Sequence, residues 1–474
     1  MGNQAGGTAI SDRHSADVAA LRAQYDALPP GTPVRLRKPT SNLFRFRRDT
    51  SADDTDGRLD ASALDQVLAV DPVARTATVQ GMCTYERLVD ATLGHGLMPL
   101  VVPQLKTITV GGALAGLGIE STSFRHGLAH ESVLEVEVLT GDGRLVTANP
   151  DGEHADLFNG LPNSYGTLGY AVSLTVELQP VTRYVAVRHV RYPDAAGCAE
   201  AIAAIHASGE YQGQPVDFLD GTVFTAQEQY LSLGRFIDEA PPGATVSDYT
   251  RQRIYYRSIQ ELGSRADGPE DVLTTHDYLW RWDTDWFWCS RAFGAQHPVA
   301  RRLWPARYRR SDVYRKLVAL DRRYRLSERV RGWRGLPAEE PVIQDIEVPV
   351  ERLAEFLAAF HAEIGISPVW LCPVQLRNPA GWPLYPMEPN RLYVNVGFWS
   401  AVPLAPGQPV GTHNRRIEQL VAELDGHKSL YSNSYYTPEE FERHYNGPAY
   451  RALKKTYDPS GRLPDLYDKC VRER

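Results

Sequence analysis

The feature that most constrains this chain is a glycine-rich apolar segment at residues 103–121, PQLKTITVGGALAGLGIES. Four glycines and no charged residue lie between Lys106 and Glu120. Glycine at this density lets the main chain approach a ligand closely and adopt positive φ angles. The β-rich run TITV leads into the segment, and the main-chain N–H groups of such a loop can hold a phosphate or face a flat ring. A tightly packed core turn of glycine and alanine is the alternative interpretation.

Spacing excludes two common glycine motifs. The nucleoside-triphosphate loop requires GxxxxGK[ST], and no lysine follows these glycines. The dinucleotide fingerprint GxGxxG opens a helix after a strand, and that spacing is absent. The segment must therefore be interpreted from the sequence around it.

Strand-like runs and small-residue turns follow this segment. Residues 132–148 predict two alternating strands joined by a hairpin at GDG, and residues 166–169, GTLG, predict a second glycine turn. Beyond residue 183, the strands YVAVRHVRY and IQDIEVPV each precede an amphipathic helix. This pattern predicts a second domain in which helices cover a sheet.

Length and composition fit a two-domain globular protein. The chain has 474 residues, of which 43% are hydrophobic and 23% charged. No run of about 18 uncharged apolar residues predicts a transmembrane helix, and the N-terminus lacks the features of a secretory signal. The five cysteines lack CxxC spacing and the histidines lack HExxH. We therefore expect reduced thiols, no metal site and a cytoplasmic protein.

The net charge of −7 conceals a strongly basic block at residues 301–334. Thirteen Lys and Arg against three acidic residues give the block a charge of +10 and leave −17 for the remainder. Aromatic residues are interleaved with it, and WRWDTDWFW lies upstream at 280–288. Such a mixture is typical of an anionic membrane interface, of a groove for single-stranded nucleic acid, or of a solvated helix face.

The order of motifs resembles the FAD-binding domain of vanillyl-alcohol-oxidase type flavoproteins. That resemblance is carried by TVGG, GLGIES, VLEVEVLTGDG, DLF and GTLGYAVSLTVEL. Further along, IQDIEVPVERL, PVWLCP, LYVNVG and LYSNSYYTPEEF resemble successive landmarks of the Diminuto or delta-24-sterol reductase family. The resemblance implies an α+β fold of two domains, with a PCMH-type FAD-binding domain and a substrate or cap domain.

The resemblance and the strand pattern together predict that the chain is divided into four parts. Residues 1–30 are predicted to be a flexible leader and a first helix, and residues 31–182 the FAD-binding domain. Residues 183–424 are the substrate domain, with an aromatic and basic insertion at 249–334. Residues 425–474 are expected to return to the flavin domain.

Within that family the chain most resembles the bacterial branch that makes 10-methyl branched fatty acids of the tuberculostearic acid type. LRKPTSNLFR, GMCTYE, VVPQLKTIT, RWDTDWFWCSRAFGAQ and LDGHKSLYS carry this resemblance. It implies reduction of a 10-methylene-stearoyl phospholipid to the 10-methyl product with FAD and NADPH. It also implies a peripheral position at the inner face of an anionic membrane, partnership with the methyltransferase that makes the methylene lipid, and no nucleic acid partner. The sequence predicts no particular oligomeric state.

Three other functions stay open at this level. One is an activity like that of the delta-24-sterol reductases, and another is a flavin oxidase or dehydrogenase of an alcohol that uses O2 or another acceptor. The third is a noncatalytic lipid or nucleic-acid-binding module. Because the Arg-Gly-Gly-Gly-His loop of many related flavoproteins is absent, FAD is expected to be noncovalent. Arg37, Lys38 and Ser41 either substitute for that loop in part or form a basic strand end.

The resemblance implies FAD contacts from the glycine-rich segment, the turn after it and the second glycine turn. These residues are Pro103, Gln104, Thr109, Val110, Gly111, Gly112, Gly116, Gly118, Ile119, Glu120, Ser121, Arg125, Gly166, Thr167, Gly169 and Val172. Aromatic residues are predicted to line the lipid pocket: Trp280, Trp282, Trp370 and Tyr393.

Reduction of an isolated C=C bond needs a proton donor in a dry pocket beside the flavin. The candidate donors are Tyr431, Tyr435, Glu120 and His276, with Lys428 and Asp283 able to orient or tune them. Tyr431 is the first choice, because it lies in the LYSNSYY segment that matches the family's carboxy-terminal motif.

Overall fold

The computed structural model describes residues 2–38, 43–45, 57–250, 253–264 and 270–472, and of residues 2–9 it describes the backbone alone. The helices in these ranges are α1 (Gly2–Asp26), α2 (Tyr85–Leu93), α3 (Val110–Gly116), α4 (Ser123–His126), α5 (Ala155–Gly160), α6 (Ala195–Ser208), α7 (Tyr255–Gly263), α8 (Thr275–Leu279), α9 (Pro298–Leu303), α10 (Ser311–Tyr324), α11 (Leu326–Trp333), α12 (Leu353–Glu363), α13 (Thr412–Glu423), α14 (Pro438–His444) and α15 (Gly447–Tyr457). The strands are β1 (Arg35–Arg37), β2 (Arg58–Asp60), β3 (Val67–Asp71), β4 (Thr76–Gln80), β5 (Leu97–Pro99), β6 (Val133–Thr140), β7 (Leu145–Ala148), β8 (Gly169–Pro180), β9 (Tyr184–Tyr192), β10 (Glu210–Tyr211), β11 (Gln214–Pro215), β12 (Phe218–Thr225), β13 (Glu228–Ile237), β14 (Asp271–Thr274), β15 (Glu339–Pro349), β16 (Val369–Val374), β17 (Tyr393–Pro403) and β18 (His427–Lys428).

The first domain is built on a six-stranded antiparallel sheet. Its strands lie in the order β3-β4-β8-β6-β7, and β5 pairs with the far end of β8. The predicted GDG hairpin is confirmed, since β6 and β7 pair in antiparallel register around a turn in which Gly143 has a φ of 85°. The sequence also predicts a helix from Glu86 to Leu93 that stops at Gly94. It is present as α2, and Thr84 caps it by accepting the N–H of Arg87 at 3.3 Å.

The second domain is built on an eight-stranded antiparallel sheet in the order β14-β9-β13-β12-β16-β17-β15-β18. Helices α6, α12 and α13 cover one face, where Ile202, Phe356, Phe360 and Ile417 are fully buried. The predicted two-domain α+β fold, with a sheet covered by helices, is therefore confirmed. The other face of this sheet turns toward the first domain.

Helix α1 begins much earlier than the sequence pattern indicated. We expected a flexible leader with a helix from Asp17, whereas the helix starts at Gly2. No proline interrupts the chain before Pro29, and alanine is frequent, so nothing stops the helix from extending toward the N-terminus. Leu21 and Tyr25 bury their side chains, and the Tyr25 hydroxyl donates to the carbonyl of Gly141 at 2.7 Å.

The insertion and the last segment connect the two domains. Strand β14 comes from the insertion at 249–334 and adds an edge strand to the second sheet. Strand β18 pairs with β15 at the other edge, and the chain then returns to the first domain, where Lys454 Nζ donates to the carbonyl of Thr167 at 2.8 Å. The predicted boundary after residue 182 falls between β8 and β9.

None of the helices in the described ranges combines the length and the apolar character that crossing a membrane requires.

Candidate active site

A cavity of about 540 Å³ lies between the two domains. The first domain contributes α3, the residues before it and the turn before β8, and the second contributes strands β15, β16 and β17 with residues 429 and 431. Ten of the predicted cofactor residues line it: Pro103, Gln104, Thr109, Gly111, Gly112, Gly116, Gly118, Ile119, Gly166 and Gly169.

The glycine-rich segment forms a short helix, which corrects our prediction of a strand leading into a loop. Thr109 caps α3 by accepting the N–H of Gly112 at 3.1 Å, and the helix ends at Leu117, whose φ is 63°. The run TITV makes only one isolated bridge, between Thr84 and Thr109. A capping threonine followed by alanine and leucine favours a helix over the extended conformation that Ile and Val alone indicate.

Packing of protein against protein explains these glycines. A Cβ at Gly111 would lie 2.7 Å from the carbonyl oxygen of Gly81, and one at Gly118 would lie 3.1 Å from the ring of Pro103. A Cβ at Gly81 would in turn lie 1.9 Å from the carbonyl oxygen of Ala171. A side chain at any of these positions would therefore point into the protein. We had predicted instead that the glycines face a ligand. Their consequence for the cavity is indirect, because the closely packed main chain of α3 forms a wall without side chains.

The second glycine turn is confirmed, and it contains several residues of positive φ. Asn163, Tyr165 and Gly166 have φ angles of 63°, 50° and 74°. The Asn163 amide donates to the carbonyl of Leu384 at 2.8 Å, which ties this turn to the second domain. The turn therefore fixes one side of the cavity against the opposite domain.

One part of the cavity wall is strongly basic. The Nε and Nη2 groups of Arg45 are buried and have no hydrogen-bond partner among the described residues, and the same is true of Gln104 Nε2. The Arg45 guanidinium lies 4.4 Å from the centre of the Tyr165 ring. Unsatisfied donors beside a cavity indicate an anionic ligand. The basic residues that line the cavity are Arg35, Lys38, Arg45, Arg58 and Lys469.

Of the residues suggested to replace the missing arginine-glycine loop, only Lys38 lines the cavity. Arg37 is exposed and is not part of the wall. Ser41 lies outside the described residues. Sequence analysis missed Arg45 as a candidate, although the run LFRFRR drew attention to this basic region.

Two carboxyl groups face the cavity from β15. Asp345 and Glu347 are two residues apart, so they share the sheet face turned toward the first domain. Removal from bulk water raises the pKa of Asp345 to about 7 and that of Glu347 to about 8. Asp345 keeps some accessible surface, which faces the cavity, and the Nδ2 group of Asn395 donates to its Oδ1 at 3.4 Å. Near neutral pH both carboxyl groups are therefore partly protonated and can donate a proton.

Sequence reasoning missed both carboxyl groups. In IQDIEVPV the apolar residues alternate with Asp345 and Glu347, a pattern that normally places the polar face in solvent. The first domain covers that face, and no local sequence signal indicates such a cover.

Tyr431, our first choice of proton donor, does line the cavity. Its hydroxyl accepts the indole N–H of Trp399 at 3.1 Å, and its polar hydroxyl tends to lower the pKa of Asp345. Burial, and then the Asp345 charge, hold the pKa of Tyr431 well above its usual value. The carboxyl of Asp345 is therefore a stronger acid than the hydroxyl of Tyr431.

Glu120, in contrast, lies in a buried ion cluster away from the cavity wall. Arg281 Nη2 is 3.1 Å from Glu120 Oε1 and 2.9 Å from Asp220 Oδ2. The indole N–H groups of Trp282 and Trp370 also donate to Asp220, at 3.2 and 3.1 Å. Burial raises the pKa of Glu120 although the Arg281 charge opposes this. The cluster joins the first domain, the insertion and the second sheet, so Glu120 positions domains.

The remaining catalytic candidates also lie outside the cavity wall, which corrects their predicted roles. Lys428 is buried with its Nζ 2.9 Å from Glu418, and the main-chain N–H of Tyr435 donates to the same carboxylate at 3.0 Å. Asp283 is buried and accepts a main-chain N–H from the first domain at 3.0 Å. His276 lies in α8 with a partly exposed ring. None of these four residues lines the cavity, and the buried contacts of Lys428 and Asp283 hold segments of the chain together.

Only one of the four predicted substrate residues, Trp370, lines the cavity. Trp280 and Trp282 are buried in the packing behind the wall, and Trp282 stacks on Phe287 at 4.8 Å between ring centroids. Tyr393 accepts a main-chain N–H through its hydroxyl and is likewise outside the wall. Reasoning from sequence found the aromatic cluster and Trp370, but it missed Trp286, Phe287 and Trp399, which also line the cavity.

Six of the residues predicted to contact FAD do not line the cavity, Glu120 among them. Val110, Thr167 and Val172 are buried inside the first domain. Ser121 is buried and its hydroxyl lies 3.2 Å from that of a tyrosine in α8. Arg125 forms an ion pair outside the cavity, at 2.9 Å. Val110, Thr167, Val172 and Ser121 lie one or two positions from residues that line the cavity, so the prediction misplaced them by only that much.

All five cysteines are free. The described ranges contain no group of three or more His, Cys, Asp or Glu residues that could hold a metal ion.

Comparison with known proteins indicates an FAD-binding domain in the first part of the chain. Residues 21–149 match the family of FAD binding domains. The chain is 28% identical over 417 residues to the Delta(24)-sterol reductase of Homo sapiens, covering 86% of this chain and 76% of that protein. It is 26% identical over 447 residues to the Delta(24)-sterol reductase of Arabidopsis thaliana, covering 88% of this chain and 77% of that protein. A shorter match, 38% identical over 106 residues, covers 22% of this chain and 20% of cytokinin dehydrogenase 7 of Oryza sativa.

The fold, the cavity and these similarities agree on one general class. The chain is an FAD-binding oxidoreductase with two α+β domains, similar over most of its length to sterol reductases.

Proposed function

We propose that this protein reduces an isolated C=C bond of a lipid with FAD as its cofactor and NADPH as the electron donor. The proposed substrate is a 10-methylene-stearoyl phospholipid and the product its 10-methyl-stearoyl counterpart. The observation that carries the proposal is the composition of one cavity, which combines a bare main-chain wall, a wall of aromatic rings and the acidic proton of Asp345.

The residues of the cavity fit FAD. The unpartnered N–H groups of Arg45 and Gln104 suit a pyrophosphate, and the main chain of α3 offers a flat wall for a ring. FAD bound there supplies the hydride for the reaction. The absence of an Arg-Gly-Gly-Gly-His loop supports noncovalent binding.

An isolated alkene has no carbonyl group to accept the negative charge of hydride attack, so protonation must assist it. In the proposed reaction the π electrons of the C=C bond form a new C–H bond with the proton of the Asp345 carboxyl. The neighbouring tertiary carbon, now electron-deficient, receives the hydride, and Asp345 is left as a carboxylate. The Tyr431 hydroxyl, which favours the ionised form of Asp345, stabilises that carboxylate, and proton uptake from solvent restores the acid.

The aromatic wall supports this chemistry by excluding water. Phe287 stacks on Trp399 at 4.3 Å between centroids and packs on Trp370 at 5.5 Å. A dry wall protects an electron-deficient carbon from attack by water and accepts an apolar chain.

A sterol is the second candidate substrate, and the similarity to sterol reductases over 86% of the chain favours it. The acyl substrate is favoured by the motifs RWDTDWFWCSRAFGAQ and LDGHKSLYS, which resemble the bacterial branch. Both substrates require the same proton and hydride, so the cavity chemistry is common to the two proposals.

Anaerobic incubation tests the proposal directly. FAD-loaded protein and NADPH are mixed with vesicles containing the methylene-branched phospholipid, or with a sterol that has a side-chain double bond. Mass analysis should show a gain of two hydrogen atoms in the acyl chain. Reduction of the sterol alone would select the second candidate. Rapid reoxidation of the flavin by O2 with turnover of an alcohol would instead identify an oxidase and refute both.

A further inference from the structure

Exposed apolar side chains are concentrated in one short stretch of the protein. Among the described residues fifteen large apolar or aromatic side chains are strongly exposed, and nine of them lie within residues 299–336. Trp333 is 86% exposed and Leu303 77% exposed. Scattered exposed apolar residues are ordinary, whereas such a concentration marks an interaction surface. The nine are Val299, Leu303, Tyr308, Leu320, Tyr324, Leu326, Val330, Trp333 and Leu336.

One end of this stretch is firmly attached to the rest of the protein. Arg310 Nη2 is 2.7 Å from Glu86 Oε2 in the first domain, and the Ser311 hydroxyl donates to Asp283 at 2.5 Å. Tyr314 is buried and stacks on Phe293. The first turns of α10 are therefore fixed by contacts with both the insertion and the first domain.

The other end is exposed on nearly every side. From residue 319 to residue 338 every residue except Asp321 and Arg331 is exposed. Leu320, Tyr324, Leu326, Val330 and Leu336 are about half exposed, and Trp333 is largely exposed. We refer to α10, α11 and residues 334–336 as the basic helix pair.

The charge of the same region complements an anionic surface. The block at 301–334 has a charge of +10 within a chain whose net charge is −7. Its exposed arginines include Arg302, Arg329 and Arg334. Basic residues beside exposed tryptophan, tyrosine and leucine are the composition of peptides that lie at the headgroup level of a bilayer.

The basic helix pair adjoins the rim of the cavity. Glu86 forms ion pairs with Arg310, just before α10, at 2.7 Å and with Lys106 at 3.4 Å, and Leu105 and Thr107 on either side of Lys106 line the cavity. Leu43, which also lines the cavity, is 37% exposed.

We infer that the basic helix pair docks the protein on an anionic lipid bilayer, with its apolar side chains in the headgroup region and its arginines on lipid phosphates. Docking in this way brings the cavity rim close to the bilayer surface. This inference does not depend on the proposed reaction, since it rests on exposure and charge alone.

Flotation with lipid vesicles tests the inference on the full-length flavoprotein without substrate. The wild type should bind phosphatidylglycerol vesicles, bind phosphatidylcholine vesicles weakly, and lose binding as salt increases. The variant R323Q/R329Q/R334Q removes three exposed charges of the basic helix pair and should bind anionic vesicles more weakly, on the order of a hundredfold at low salt. The matched control R13Q/R22Q/K455Q removes three exposed charges elsewhere and should bind as the wild type does.

A second pair of variants tests the apolar contribution. L326S/V330S/W333S should reduce vesicle binding at least tenfold, because three interfacial side chains no longer insert. The control V73S/V410S alters exposed apolar residues outside the basic helix pair and should change nothing. Equal binding by wild type and both test variants would overturn the inference. The inference would also be overturned if the wild type formed an oligomer that L326S/V330S/W333S dissociates, because the surface would then be a protein interface. Tighter binding to single-stranded nucleic acid than to vesicles would overturn it as well.

Discussion

Gly397 of β17 lies directly opposite Asp345 of β15, and a Cβ at Gly397 would stand 2.4 Å from Asp345 Oδ1. The backbone of Gly397 has no positive φ, so the glycine is needed for space and not for a turn. The same Cβ would lie 2.8 Å from the Trp399 ring. Because Gly397 has no side chain, the carboxyl of Asp345 has space beside the aromatic wall.

Gly397→Ala should displace that carboxyl and lower the rate of double-bond reduction at least tenfold. Overpacking at this position should also destabilise the fold, by about 1–3 kcal/mol. Product formation measured by mass spectrometry, with bound FAD measured by absorbance, separates the two effects. Gly94→Ala adds a methyl group at an exposed helix end, where the nearest atom is 3.7 Å away, and should leave activity unchanged. Full activity of Gly397→Ala would contradict the role of Asp345.

The pH dependence of the reaction should report on Asp345. Since its pKa is raised to about 7, the carboxyl holds its proton below that pH and loses it above. We expect the rate of substrate reduction under saturating NADPH to fall as pH rises through about 7. Asp345→Asn should remove this dependence and slow reduction by about 10²–10⁴, while flavin reduction by NADPH continues. A variant that keeps the wild-type profile would exclude Asp345 as the acid.

The same raised pKa predicts a change in stability. A carboxyl whose pKa is raised in the folded state stabilises the protein below its unfolded pKa, and that stabilisation is lost as pH rises toward about 7. On going from pH 5 to pH 8, the free energy of unfolding of Asp345→Asn should therefore rise relative to that of the wild type by a few kcal/mol. Urea unfolding of both proteins at pH 5 and at pH 8 measures this change. Asp238→Asn, at an exposed position, should show no such difference between the two pH values.

The buried cluster around Arg281 should be essential for stability. Arg281→Gln leaves Glu120 and Asp220 without their cation, which we expect to cost about 3–5 kcal/mol of unfolding free energy. Denaturant unfolding monitored by tryptophan fluorescence provides the measurement. Arg325→Gln breaks an exposed pair with Glu328 and should have no measurable effect. Equal stability of the two variants would show that the cluster does not hold the domains together.

Arg45→Gln should weaken FAD binding by about tenfold or more, because a charged donor to the pyrophosphate is lost. Titration of the flavin-free protein with FAD, followed by flavin fluorescence, gives the dissociation constant. Arg37→Gln is the matched control, since Arg37 lies nearby outside the cavity wall. An unchanged affinity in Arg45→Gln would place the pyrophosphate elsewhere.

Elements with local signals could be predicted from the sequence. The GDG hairpin, α2 and the glycine turn at 166–169 follow from turn residues and alternation, and all three are present. The helix at Val110–Gly116 was missed because Thr109 acts as a cap where β-branched neighbours suggested a strand.

The chemistry of the cavity was harder to predict, because it depends on which face of a strand another domain covers. Asp345 and Glu347 look like solvent-facing residues in the strand pattern, whereas Glu120 and Lys428 look functional and are satisfied by buried partners. Tyr431 was correctly placed at the cavity because its motif resembles a known family. Long-range pairing of this kind leaves no periodic trace in the sequence.

The pairing of β18 with β15 has a consequence for biosynthesis. Residues 427–431 are translated about 80 positions after the strand that bears Asp345, yet they form the edge beside that strand and supply Tyr431. A ribosome-bound chain that has released everything up to residue 420 therefore has the main-chain wall of α3 but lacks Tyr431 and Lys469. The cavity of newly made protein can close only after this late edge strand and the segment that follows it have docked.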